Sequence, residues 1–95
     1  MSFYDLSKEE RIEIVQKMKF EVISDLNNSE NANIVRYASD DDNHIRKNLY
    51  LILSRLYLDE PDFKEKIIKS TRLFYQSSDD KQRQAAVYVW GEIGN

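Results

Sequence analysis

From Ser7 onward, apolar residues return every three or four positions, the spacing that places side chains on one face of an α-helix. Ile12, Val15, Met18, Val22, Ile23 and Leu26 fall on a single stripe, while Phe20 lies off it and is free to cover another element or a partner. Ser7 and Glu10 have the spacing of a capping box, and Asn27-Asn28-Ser29 favours a turn, so the first helix is predicted over residues 7–26. A short helix follows over Asn31–Ala38, carrying Ile34, Val35, Tyr37 and Ala38. The run Ser39-Asp40-Asp41-Asp42-Asn43 interrupts the pattern and puts acids where they favour the positive start of the next helix. That helix, Asn43 to about Leu58, has a main stripe of Ile45, Leu49, Ile52, Leu53 and Leu56. Leu51 and Leu58 point almost the opposite way, with Tyr50 and Tyr57 between, so the helix is expected to pack on more than one side.

Pro61 breaks the chain again and suits a first helical turn, with Asp62 and Glu65 as a second capping pair. Phe63, Ile67, Thr71 and Phe74 make the next stripe, widened by Ile68 and Tyr75. After Ser77-Ser78-Asp79-Asp80, the last helix carries Gln82, Ala86, Val89, Trp90 and Ile93 on one face, and Gly94 stops it. The pattern therefore predicts an all-α domain of about five helices: an N-terminal helix (7–26), a first helix pair (31–58) and a second pair (62–94).

The two pairs share a register. Laying Asp42 on Asp79 brings Arg46 onto Arg83, Leu49 onto Ala86, Ile52 onto Val89, Leu53 onto Trp90 and Leu56 onto Ile93, an offset of 37 residues. Helical pairs at this period are the sequence mark of a solenoid, because one pair cannot hide its apolar face without a neighbour. Acid-x-x-x-Arg-x-x-Ala opening a helix that ends in Gly-Glu-Ile-Gly, over residues 79–94, resembles the HEAT-repeat family of α-solenoids. Residues 42–58 follow the same pattern, with Asn48-Leu49 and Ser54 departing from the small residues and glycine the family prefers, and residues 7–38 match only in helix count. The resemblance implies a HEAT-like α-solenoid of two to two and a half antiparallel helix pairs. It also implies a ladder between adjacent repeats, in which Asp42 would join Arg46 and Asp79 would join Arg83. It implies, finally, a scaffold that binds proteins, with the second helix of each pair lining the concave face. On this reading Trp90 is a structural residue that stacks on a further repeat or caps the end, and the 95-residue chain is the N-terminal part or a fragment of a longer solenoid.

Composition narrows the functions worth testing. Two glycines exclude a phosphate-cradling glycine loop, and the lack of cysteine excludes disulfides, thiolate nucleophiles and cysteine metal sites. With no basic-then-apolar signal pattern at the start and no membrane-length apolar run, the expected location is the cytoplasm. His44 beside Asp40, Asp41 and Asp42 could be drawn as a metal site. Three adjacent acids cannot all face one ion, however, and the loop lacks the alternating acids and central glycine of a calcium loop. No catalytic residue, cofactor site or metal site is assigned, and the chain is not expected to be an enzyme. The net charge is −3, divided into 10 acids and 5 bases up to Asp42 (net −5) and 7 acids and 9 bases from Asn43 (net +2).

Two functional readings remain. In the first, Lys47, Tyr50, Leu51 and Ser54 form one surface with Gln84 and Tyr88, and with Val87 and Gly91 beside them, for a protein partner or the remainder of the same solenoid. A mixture of tyrosine and aliphatic residues with few charges suits such an interface. Exposed Val87, Trp90 and Ile93 would also favour self-association through the C-terminal helix pair. The second is a nucleic-acid-binding helical-repeat domain related to DNA alkylation-repair glycosylases, using Lys47, Arg55, Lys69, Arg72 and Lys81 with Tyr50 and Tyr57. The overall acidity weighs against it, since binding to a phosphate backbone rests on clustered cations.

Overall fold

The computed structural model describes residues 2–94. Among these, five α-helices are joined by short connections, with no strand: α1 (Lys8–Asn27), α2 (Ala32–Ala38), α3 (Asn43–Asp59), α4 (Lys64–Tyr75) and α5 (Asp80–Glu92). No described helix is long and apolar enough to cross a membrane.

The helix starts follow from local chemistry. Ser7 accepts from the Glu10 amide at 3.2 Å and the Glu10 carboxylate accepts from the Ser7 amide at 3.0 Å, so the predicted capping box closes from both sides. The Asp42 carboxylate caps α3 by accepting from the His44 amide, and Asp79 caps α5 through the Lys81 amide, each at 2.8 Å. The expected cap at α4 is replaced by another device. Pro61–Phe63 forms a 3-10 turn that leads into Lys64, and neither Asp62 nor Glu65 supplies a side-chain cap. Proline fixes its φ and lacks an amide hydrogen, so the tight turn starts without an orphaned donor there.

α2 is too short to hold itself together, and its N-cap residue Asn31 makes no side-chain cap. Its cap comes from α1. Asp25, buried at 3% exposure, accepts from the amides of Asn33 (2.8 Å) and Ile34 (3.0 Å) and from the Asn33 side chain (2.9 Å). At the end of α1, Lys66 Nζ donates to the Leu26 carbonyl at 2.7 Å, tying α4 to the last turn of α1. α5 ends at Glu92, and Gly94 takes a positive φ of 81° just beyond it, as its placement predicts.

α3 is the centre of the packing, touching α1, α2, α4 and α5, while α4 lies along α5. Met18, Val22, Leu26, Ile34, Leu49, Leu53, Ile67, Phe74 and Val89 are fully buried, each contributing about 1.5–3 kcal/mol by leaving water. The N-terminal turn also packs on α3. Phe3–Asp5 forms a 3-10 turn that buries Phe3, and the Phe3 amide donates to Asp42 Oδ2 at 2.7 Å. Tyr4 packs edge-on against His44 with ring centres 3.9 Å apart, which occupies the one histidine.

Candidate functional site

The 37-residue offset reappears in the hydrogen bonds of the two loops that launch α3 and α5. The Asp42 amide donates to Asp40 Oδ1 (2.8 Å), and the Asp79 amide donates to Ser77 Oγ (3.0 Å). Arg46 Nη1 donates to the Asp40 carbonyl (2.5 Å), and Arg83 Nη1 to the Ser77 carbonyl (2.7 Å). Each loop is thus held by an aspartate that caps its own helix and an arginine that folds back onto the loop's main chain. The pairings expected of Asp42 with Arg46 and Asp79 with Arg83 do not form as ion pairs. The carboxylates are taken by helix amides, and Arg83 pairs with Asp80 instead. The two loops are joined by other contacts: Lys81 Nζ meets Asp41 at 2.9 Å and Gln82 Nε2 donates to Ser39 Oγ at 3.0 Å.

These loops set α3 and α5 side by side and leave a groove of about 620 Å³ between them. Lys47, Tyr50, Gln84 and Tyr88 line it, four of the six positions expected on this surface, joined by Val87 and Tyr75. Tyr88 is 38% exposed and Val87 is 59% exposed. Tyr50 is placed differently from the expectation. It is 5% exposed, its ring lies 4.9 Å from that of Tyr88, and it forms the floor rather than the rim. Burial pushes the Tyr50 phenol above its ordinary pKa of 10.0, against the pull of the neighbouring Arg46 guanidinium. Ser54 also faces inward, its hydroxyl donating to the Tyr50 carbonyl at 2.7 Å, because a serine in mid-helix satisfies itself on the preceding turn. Leu51 is exposed but lines a separate cleft with Arg55 and Leu58.

Tyr75 is the lining residue that periodicity missed. It sits at the edge of the α4 stripe, and the packing of α4 along α5 carries it into the groove with Arg83 and Val87. Trp90 is half-buried within its own helix pair. Its Nε1 donates to Thr71 Oγ1 at 2.9 Å and its ring centre lies 5.1 Å from that of Tyr75. Of the basic candidates, Lys69 and Arg72 share a cleft, which Tyr57 also lines, and the other three lie elsewhere. Lys47 lines the α3–α5 groove, Arg55 the cleft beside Leu51, and Lys69 and Arg72 line another cleft along α4, while Lys81 is tied to Asp41. Among the described residues, no three His, Asp or Glu side chains converge so as to hold a metal ion.

No family model, curated protein or solved structure matches the chain.

Proposed function

We propose that the chain is a non-enzymatic, HEAT-like helical-repeat module that offers the α3–α5 groove to a protein partner. The observation that carries this reading is the groove itself: an open, largely apolar channel with Tyr88, Val87 and Tyr75 on its walls, in which Asp80 and Arg83 are paired with each other and Lys47 is the remaining charge. Tyrosine contributes a large contact area and a hydroxyl at low entropic cost, which suits a protein interface. The repeated loop geometry supports the solenoid part of the reading, since two units 37 residues apart solve the same local problem with the same bonds. The net charge of −3 and the scatter of Lys47, Arg55 and Lys81 favour a protein over a nucleic acid, Lys69 and Arg72 being the two basic candidates that share a cleft.

Substitution of the exposed wall separates binding from folding. Val87→Ser combined with Gln84→Ala, which leaves the Tyr88–Tyr50 contact in place, should weaken capture of a partner identified by cross-linking at least tenfold and leave the melting temperature within about 3 °C, since exposed positions cost little stability. Undiminished capture by this double variant would sink the reading.

A further inference from the structure

A second surface lies on the opposite helix of the C-terminal pair. The outer side of α4 forms a cleft of about 620 Å³ with Tyr57 of α3. Lys64, Lys69 and Arg72 line it, with Glu65 the single acid, and Ile68 and Leu73 supply apolar surface between the charges. Leu73 is 51% exposed, and among the described residues none of the three cations is in an ion pair. Lys66 beside them is already committed to the Leu26 carbonyl. This cationic cleft belongs to a chain whose net charge is −3, so its complement is available within the same molecule.

That complement is the outer face of α1. Glu9, Ile12, Glu13, Gln16 and Phe20 are all exposed and share one stripe at helical spacing. Phe20 is 75% exposed, the largest exposure of the large apolar side chains, and Ile12 is 47% exposed. Glu9 and Glu13 take part in no ion pair among the described residues. The stripe from Glu9 to Phe20 is about 17 Å long and the cleft from Lys64 to Gln76 about 18 Å, at about 1.5 Å per residue.

We propose that the chain associates with a second copy of itself, head to tail, by laying the α1 stripe of one copy antiparallel in the α4 cleft of the next. The antiparallel register brings Glu9 and Glu13 to Arg72 and Lys69, Ile12 to Ile68, and Phe20 to Tyr57. Two carboxylates then meet two cations, Glu65 faces the uncharged Gln16, and the two exposed apolar positions of the stripe are covered. The contact joins two different surfaces, so a pair of copies retains one free cleft and one free stripe, and association continues past the dimer. The charged share of the contact is screened by salt. The surface is distinct from the α3–α5 groove, so this inference stands or falls independently of the partner reading.

The test is the mass of the full chain by sedimentation and light scattering. In low salt the wild type should gain mass with concentration, beyond a dimer, and lose it at high ionic strength. Lys69→Glu/Arg72→Glu and Glu9→Lys/Glu13→Lys should each remain monomeric, with the circular dichroism of the wild type. An equimolar mixture of the two should associate again, because each then offers the other a matched pair of surfaces. Phe20→Ser, at an exposed position that does not threaten the fold, should weaken association at least tenfold. A wild type that stays monomeric in low salt at every concentration overturns the proposal, as does a mixture that stays monomeric. Monomeric protein that instead binds a poly-glutamate peptide or duplex DNA assigns the cleft to another occupant and overturns it equally.

Discussion

Two acidic side chains show how much a single residue decides here. Asp25 is one of few charged groups taken out of water, and every oxygen it brings is used: three donors from the start of α2 converge on it. Asp25→Ala leaves two amides and a side-chain amide without an acceptor in a buried place. We expect a loss of about 2–3 kcal/mol in urea unfolding, against a few tenths for an exposed acid such as Glu9. An unchanged midpoint would show that the cap is dispensable. Glu21 has a different role. Its carboxylate accepts from the Tyr37 hydroxyl and from Arg36 Nη2 (3.1 Å), and the Tyr37 bond is the larger cause holding it below its ordinary pKa of 4.5. A carboxylate whose pKa is depressed by folding contributes stability that is present above pH 4.5 and is lost as pH falls through the folded value. Tyr37 itself is raised above 10.0, by burial first and by Glu21 next, so its contribution is present below pH 10 and lost as pH rises through the folded value. Tyr37→Phe should therefore flatten the fall of the denaturation midpoint as the pH drops below 4.5. An identical acid limb in the two proteins would refute the coupling.

At the scale of elements, the readable part of the sequence was the part governed by neighbours in the chain. Helices α1, α3 and α5 announce themselves by period, and their caps by residue type and spacing, because Ser7, Asp42 and Asp79 act on amides two or three positions away. What failed to show was whatever depends on a second element. Asp25 looks like one more surface acid of α1 until α2 turns back onto it. Tyr50 alternates with the α3 stripe as an outward residue would, and only the approach of α5 covers it. Trp90 reads as a stacking residue awaiting a neighbour, yet its indole is already engaged with Thr71 on α4. Thr71 serves both helices, donating to carbonyls of its own preceding turn and accepting from the indole. Trp90→Phe should keep most of the packing and lose that bond, at a cost of about 1 kcal/mol. Made in a Thr71→Val background the same change should cost less, and equal costs in both backgrounds would separate the two residues.

For the whole molecule, the repeat accounts for the launch of two helices, and the non-repeated parts account for its closure. The loops before α3 and α5 are near copies in geometry, but α1 and the turn at Phe3 have no counterpart in the second unit. They cover the first pair: Phe3 inserts beside α3 and donates to the free oxygen of the same Asp42 that caps α3. The candidate groove was legible in outline, since Lys47, Gln84 and Tyr88 lie where the 37-residue register puts them. Its depth and its α4 wall were not, because they come from how two helix pairs meet. Seven residues long and capped from α1, helix α2 carries a consequence for the motions of the native protein. A helix this short nucleates poorly on its own and holds only while Asp25 stays in place. Its local opening leaves α1, α3 and the α4–α5 pair intact, so α2 is the segment through which amide protons should first trade with solvent, well below the cost of global unfolding. Each such opening uncovers Ile34 and Ala38 and, beneath them, a side of α3, giving the folded chain a second, transient apolar surface at the seam between its unrepeated start and its repeated remainder.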